Sequence, residues 1–522
     1  MSFRAIIHRI FNRFTVVVIL CFLQVLLFAQ ILLNWSNYYV FISEGFKVIS
    51  ILVVFYLIYK QENPSVKLAW IVPILLFPIL GGISFILFGH ATIPHKMKNN
   101  MLLTYDNAEK AHEGEWTDNI KSVDELCEND SATEDLLPAD VRNECRYIER
   151  FGRTPVWTDT ATKYFDDGIP YWDSLATDLE NAKEFIFLEY FIIGKGVMWD
   201  RILEILKKKA DEGLDVRVIY DDVGSVFVIP NHYERTLEAM GIKCVDFNRL
   251  VPFMHILMNN RDHRKIVVID GRIGYTGGIN LSDEYINVEP RFGYWKDAGI
   301  RIEGNAVWNF TVMFLQMWNT CRMTENDYKK FRRENEPLGT GGVVLPFGDT
   351  PLDDEPLGEN IYLNMIASAQ KYLYVFTPYL ITDNELLTAF KCAAKRGVDV
   401  RIVTPGTPDK KIIYLQTQAN YPTLIKAGVK IFQYNKGFIH SKCVLSDDTK
   451  AIVGTINFDY RSFVHHFEDG VYMYKTEVVD QLKKDMDKTF GESDLITMDY
   501  FAKKRFQKHI LLPVIKLISP LL

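Results

Sequence analysis

Residues 263–280 read HRKIVVIDGRIGYTGGIN, and this stretch decides the fold. His263 is followed by Lys265 two positions on and by Asp270 five positions after that; Gly277, Gly278 and Asn280 close the stretch. The apolar run 266–269 predicts a buried strand. Alternate residues of a strand share a face, which sets His263 beside Lys265. An imidazole next to a fixed cation meets the needs of attack on a phosphate ester: a nitrogen that reacts and a charge that holds the oxygens. One such stretch alone would be an ordinary core strand. Residues 438–457, FIHSKCVLSDDTKAIVGTIN, repeat it with His440, Lys442, Asp447, Gly454, Thr455 and Asn457. Four spacings agree between the copies: His to Lys two, Lys to Asp five, Asp to Gly seven, Gly to Asn three.

The flanks repeat as well. NAKEFIFLEYFII (181–193) matches SAQKYLYVFTPYL (368–380), ADEGLDVRVIYDD (210–222) matches AAKRGVDVRIVTP (393–405), and MGIKCVDF (240–247) matches AGVKIFQY (427–434). Each pair reads as a helix end, a turn and a buried strand, and the motif strand follows. Strands alternating with helices predict an α/β fold with sheets covered on both faces. Two such halves, 151–335 and 336–500, related by a pseudo-twofold axis, bring both His–Lys pairs into one active site.

Composition narrows the partners. The chain of 522 residues carries a net charge of −7 and a pI near 5.9, which argues against nucleic acid as a partner. Its seven Cys, at 21, 127, 145, 244, 321, 392 and 443, form no C-x-x-C pair or His/Cys cluster, so no metal and no cofactor are expected.

The N-terminal 1–92 is apolar in blocks. Residues 14–33 form an uncharged run of membrane-span length after Arg4, Arg9 and Arg13, which reads as an anchor entering from the cytoplasm. Residues 39–59 include Glu44 and Lys47 on one helical face. Residues 68–88 contain Pro73, Pro78, Gly81 and Gly82, so this block either crosses the membrane or re-enters it. A crossing puts the catalytic region outside; a re-entrant block keeps it inside, which His95, Lys96 and Lys98 favour. The expectation is a multi-pass cell-membrane protein with its catalytic region in the cytoplasm. Residues 93–150 read as a polar, acidic linker. Residues 501–522 read as an amphipathic tail, lying in the membrane interface or packing on the protein.

The duplicated motif, H-x-K-x4-D-x6-G-[GST]-x-N, resembles the signature of the phospholipase D superfamily. The flanks are similar to bacterial cardiolipin synthases: EYFII at 189–193, RDHRK at 261–265, WKDAGIRIEG at 295–304, NFDYRS at 457–462 and SPLL at 519–522, beside the apolar N-terminus. The resemblance implies phosphatidyl transfer between two phosphatidylglycerol molecules, with membrane lipids as partners. His263 is then the nucleophile and His440 the acid/base. Asp297 and Glu468 orient the rings through their other nitrogens. Lys265, Lys442, Asn280 and Asn457 are the donors suited to the phosphate oxygens. Asp270 and Asp447 complete the signature set; they lie across the strand's length from their histidines, which points to a structural role. Hydrolysis with water as acceptor, nuclease activity and a catalytically dead membrane scaffold are the competing readings.

Overall fold

The computed structural model describes residues 37–60, 63–89, 95–111, 122–124, 137–249, 260–338, 342–353, 355–502 and 512–521. The chain divides into two compact units. Met1–Ile93, Leu250–Asn260 and Phe506–Leu522 make the first; Pro94–Arg249 and Arg261–Arg505 make the second.

In the first unit three helices are described: α1 (Asn37–Tyr59), α2 (Pro64–Leu76) and α3 (Pro78–Phe88). α1 carries Glu44 and Lys47, paired at 2.7 Å on an exposed side. Its uncharged stretch 48–59 rises only about 18 Å at 1.5 Å per residue, short of a hydrocarbon layer of about 30 Å. The block 68–88 is not one continuous helix. Phe77 leaves the helical conformation at φ −135°, ψ 73°, and Pro78 opens α3. α2 and α3 pack on each other and on α1. A Cβ on Gly81 would lie 2.5 Å from the Ile74 backbone, so a glycine is required where α3 approaches α2. Among the described residues no helix is long and apolar enough to cross a membrane. The third block is thus a helix, a break at Phe77 and a second helix. The proposed anchor 14–33 lies outside the described residues. In the C-terminal tail, the helix Leu512–Ile518 and the turn Ser519–Leu521 pack against α2.

The second unit holds two mixed sheets with the same strand order. In chain order the first half has β1 (Ala161–Phe165), β2 (Phe185–Tyr190), β3 (Asp215–Asp221), β4 (Lys243–Phe247), β5 (Arg261–Asp262), β6 (Lys265–Ile269), β7 (Ile273–Gly277), β8 (Tyr294–Lys296) and β9 (Gly299–Glu303). The second has β10 (Val343–Asp349), β11 (Tyr372–Phe376), β12 (Leu380–Ile381), β13 (Asp399–Pro405), β14 (Lys430–Tyr434), β15 (Gly437–Ile439), β16 (Cys443–Ser446), β17 (Lys450–Gly454), β18 (Phe458–Asp459), β19 (His466–Tyr474) and β20 (Ser493–Ile496). The sheets run β1-β9-β7-β6-β2-β3-β4 and β10-β19-β17-β16-β11-β13-β14-β20. The repeated segments supply the parallel strands, β2, β3 and β4 against β11, β13 and β14. The motif strands β6 and β16 run antiparallel beside them.

Alternation explains the layers. On β2, Ile186, Leu188 and Tyr190 join a core with Tyr171, Leu175, Trp199 and Ile202 from the helices Gly168–Glu180 and Val197–Asp211. On its other face, Phe187 stacks on Phe314 of the helix Val307–Cys321, centroids 4.6 Å apart. Each half's last helix also reaches the other half's first strand: Val307–Cys321 packs on β10, and Glu477–Gly491 packs on β1. There Tyr164 donates to Asp485 at 2.7 Å, and Asp485 holds Lys296 at 2.6 Å.

The linker expectation for 93–150 is corrected in its described parts. The helix His95–Ala111 packs along Val307–Cys321, with Asn100 donating to the Thr320 carbonyl. The helix Ala139–Gly152 buries Val141, Cys145 and Ile148 in the second half's core. Those positions fall at i, i+4 and i+7, one face of a helix, which the surrounding charges obscure in the sequence.

Candidate active site

Two short parallel ladders cross between the halves. β5 pairs with the start of β19, and β8 pairs with β15. One residue past each ladder stands a motif histidine. The His263 N–H donates to the Phe467 carbonyl at 2.9 Å, and the His440 N–H donates to the Lys296 carbonyl at 2.7 Å. Each histidine backbone is thus set by the opposite half.

The side chains cross in the same way. His263 Nδ1 lies 2.8 and 3.0 Å from the Glu468 carboxylate oxygens. His440 Nδ1 lies 2.7 Å from Asp297 Oδ2. Both rings are buried to less than a tenth exposure. A carboxylate only accepts, so each Nδ1 carries the proton and Nε2 is the nitrogen that can react. Lys442 Nζ also lies 2.9 Å from His440 Nδ1. One Nδ1 cannot donate to Asp297 and accept from Lys442 together. The shorter carboxylate contact takes it, and the Lys442 ammonium bonds the His440 carbonyl instead. Lys265 does the same in its half, donating to the His263 carbonyl at 2.7 Å.

Burial sets the charges. Loss of water pushes His263 down to about 3 and His440 to about 4, against the pull of Glu468 and Asp297. The rings are therefore neutral at neutral pH, as a nucleophile must be. Burial also lowers Lys265 to about 8 and Lys442 to about 7. Burial works against the charge of Glu468 and Asp297, but His263 and His440 outweigh it and hold both below the ordinary carboxylate range.

The glycines of the motif make room for this. Gly277 faces Gly299 on β9, and Gly454 faces Gly470 on β19. A Cβ on Gly278 would sit 2.1 Å from Asp297 Oδ1. In the second copy that position is Thr455, whose hydroxyl donates to Glu468 Oε2 at 2.5 Å. The shorter carboxylate goes with glycine, the longer with a threonine that holds it.

The two asparagines differ. Asn280 accepts from the Ile192 N–H at 3.0 Å and donates to the Tyr285 hydroxyl at 2.7 Å. Asn457 keeps a buried Oδ1 with no hydrogen-bond partner. Asp270 and Asp447 are not brought to the centre. They follow the far ends of β6 and β16, at φ 52° and 56°; the five residues of β6 alone span about 16 Å. Asp270 accepts three backbone N–H groups, from Lys183, Glu184 and Phe185 at 2.8–3.0 Å. Asp447 accepts from Gln370, Lys371 and Tyr372 at 2.7–2.9 Å. Both therefore tie a turn to the start of the neighbouring strand, and neither stands among the groups at the centre. Asp221 is likewise a turn residue, accepting from Val223 and Gly224.

Other residues at the centre carry no motif signal. Trp295 and Tyr285 flank the His440 ring at 5.2 and 5.5 Å. Phe191 and His466 flank the His263 ring at 5.0 and 5.5 Å. Sequence spacing showed no metal-ligand cluster, yet the fold gathers His263, His466 and Glu468 with one donor atom each, all within 4.8 Å. His466 begins β19, where β8 carries Trp295 in the other half; only alignment of the two repeats would have pointed to it.

Comparisons with known proteins bear on the family and the fold. A family described as cardiolipin synthase, PLD-like domain, matches residues 175–318 and 362–490. A second, described as phospholipase D-nuclease N-terminal, matches 48–90. An uncharacterised protein of Streptococcus mutans is 40% identical over 90% of this chain and 99% of its own. Cardiolipin synthase 1 of Staphylococcus aureus (strain COL) is 33% identical over 92% and 97%. Cardiolipin synthase of Alkalihalophilus pseudofirmus is 32% identical over 89% and 90%. A crystal structure of phosphatidylserine synthase from Haemophilus influenzae superposes with a TM-score of 0.54 at 15% identity, covering 73% of this chain and 100% of that one, and shares the fold.

Proposed function

Because the chain belongs to the phospholipase D-like family of cardiolipin synthases, we propose that its crossed histidine centre joins two phosphatidylglycerol molecules into cardiolipin and releases glycerol. The chain is a phosphatidyltransferase of the phospholipase D superfamily. The observation that carries the assignment of the centre is the reciprocal pairing of His263 with Glu468 and of His440 with Asp297 across the two halves.

His263 Nε2 attacks phosphorus of the first lipid. The bond to the glycerol oxygen breaks as His440 Nε2 delivers a proton to it, and a phosphohistidine remains. Binding of the anionic phosphodiester opposes the effect of burial on His440 and on both lysines, so His440, neutral in the empty site, takes up at Nε2 the proton that it then delivers. The terminal hydroxyl of the second lipid gives its proton to His440 and its oxygen to phosphorus, and the P–N bond breaks. Lys265 and Lys442 hold the non-bridging oxygens, with Asn457 and the remaining N–H of Asn280 as further donors. One phosphodiester replaces another, so no nucleotide is consumed. Asp270 and Asp447 keep the motif strands in register.

Both substrates are confined to the bilayer, and the enzyme is held there by its N-terminal apolar segments. The catalytic region faces the cytoplasm. Arg4, Arg9 and Arg13 before the first block support this, as do the interruption at Phe77 and the basic residues after Phe88. A single Cys at position 122 in a Cys-free background should resist an impermeant thiol reagent until cells are lysed; labelling of intact cells overturns the orientation.

The activity test is the purified full-length protein with labelled phosphatidylglycerol. Cardiolipin and glycerol in equal amounts are expected. Phosphatidic acid as the sole lipid product would make water the acceptor and reject the transferase reading.

A further inference from the structure

His466 is a buried residue that the proposed reaction does not use. It is 8% exposed. Neither ring nitrogen makes a hydrogen bond, and Nδ1 lies 3.5 Å from Glu468 Oε1. Leaving a buried imidazole unpartnered is costly, and groups of this kind call for an explanation. Its position is fixed by the same cross-half ladder that fixes the nucleophile, since His466 pairs with Arg261 two residues before His263. The centroids of the two histidine rings stand 5.5 Å apart. With Glu468 they present one donor atom each within 4.8 Å.

We propose that His263, His466 and Glu468 form an inhibitory zinc site that silences the nucleophile when Zn²⁺ is bound. Two imidazoles and one carboxylate are a zinc-type donor set, and three protein ligands leave a fourth, open position. Tetrahedral coordination at about 2.0–2.2 Å needs donors roughly 3.3–3.6 Å apart. The gathered atoms already lie within 4.8 Å of one another. A harder cation such as Mg²⁺ prefers an all-oxygen, octahedral shell that this set does not supply.

Inhibition follows from the tautomer. A neutral imidazole carries one ring proton, and His263 keeps it on Nδ1, facing Glu468. Zinc at Nδ1 displaces that proton to Nε2, which consumes the lone pair that attacks phosphorus. Zinc at Nε2 consumes it directly. In either case the metal and phosphorus compete for one ring, and removing the metal restores the original tautomer with no covalent change. The His440 side cannot do this. Its counterpart of His466 is Trp295, whose indole N–H only donates. The inhibitory consequence rests on His263 being the nucleophile; the metal site itself rests on geometry alone.

The test uses the full-length protein in metal-free buffer, with Zn²⁺ and Co²⁺ as probes. Zn²⁺ should inhibit turnover reversibly, with full recovery on EDTA. His466→Phe, which copies the aromatic character of Trp295 and removes both donors, should weaken zinc inhibition at least tenfold. Unchanged zinc sensitivity in that variant overturns the proposal. Co²⁺ bound to the wild-type protein should give one tetrahedral visible-absorption signature per chain, lost in His466→Phe and in His466→Asn. This signal needs no activity, so it decides the matter even if a variant is inactive. Absence of the signature in the wild type refutes the site. Its presence without inhibition would keep the site but reject silencing of the nucleophile.

Discussion

His263 and His440 occupy the same place in two copies of one half-fold, yet the groups that touch their rings differ. Glu468, held by Thr455, faces His263; Asp297, packed under Gly278, faces His440. His466 stands beside one ring and Trp295 beside the other. Asn457 has a buried unpartnered oxygen, whereas the Asn280 oxygen accepts from Ile192 and one of its N–H groups donates to Tyr285. Away from the rings the copies agree closely. Both motif aspartates accept three backbone N–H groups, and both histidine N–H groups are taken by a carbonyl of the opposite half. The framework is the same in the two halves and the ring environments differ, which suits the proposed division of labour between the rings.

The largest effects should fall on the groups that the copies share at the centre. His263→Ala and His440→Ala should each lower turnover by about 10⁴-fold or more, because one site uses both rings. Near-normal activity in either would break the shared-site comparison. Lys265→Met and Lys442→Met should each cost about 10²–10³-fold, measured as kcat/KM on phosphatidylglycerol. A similar loss is expected for Glu468→Gln and Asp297→Asn. Thr455→Val, which frees Glu468 beside His263, should lower adduct formation on His263 by about tenfold; unchanged adduct formation would erase the asymmetry.

Proton linkage adds a pH test. Lys442 at about 7 and Lys265 at about 8 lose charge on the basic side, so kcat/KM should fall as pH rises through that window. Stability moves the other way there. An unfolded lysine binds its proton up to its ordinary value and the folded one does not, so these two groups make the protein more stable as pH rises above 7. The histidines are neutral in the fold and protonate near 6.5 when unfolded. Their contribution is present above that value and is lost as pH falls towards 4 for His440 and 3 for His263. Thermal unfolding from pH 4 to 9 checks both signs.

Smaller effects should be equal in the two halves. Asp270→Ala and Asp447→Ala each strand backbone donors and should cost about 1–3 kcal/mol of stability, with kcat per folded molecule largely kept. A large kcat loss in only one of them would show that the framework is not symmetric. The smallest expected effect is that of EDTA, which should leave activity intact. Loss on chelation, restored by one divalent ion, would contradict charge stabilisation by lysine and asparagine alone.

Much of this was legible in the sequence because duplication writes the same pattern twice. Two motifs with four equal spacings specify two equivalent strand edges, and β6 and β16 lie where those spacings put them. The remainder depends on contacts between segments far apart in the chain. His263 and Glu468 are 205 positions apart, and His440 and Asp297 are 143 apart, so no local pattern states that the partners cross between halves. The helix Ala139–Gly152 was hidden by its charges, because its three buried positions gain meaning only against the second half's sheet. His466 was hidden because a histidine outside a motif has no signature until the fold sets it beside another.

In the proposed mechanism the two rings divide the work, His263 attacking and His440 moving protons. The most direct measurement is intact-mass and peptide analysis of full-length His440→Ala protein after incubation with phosphatidylglycerol. With the proton carrier gone, a phosphatidyl adduct should accumulate on His263 and should be absent from His263→Ala protein. An adduct on His440 in the His263→Ala variant, with none on His263 in the His440→Ala variant, would reverse the two roles and contradict the account.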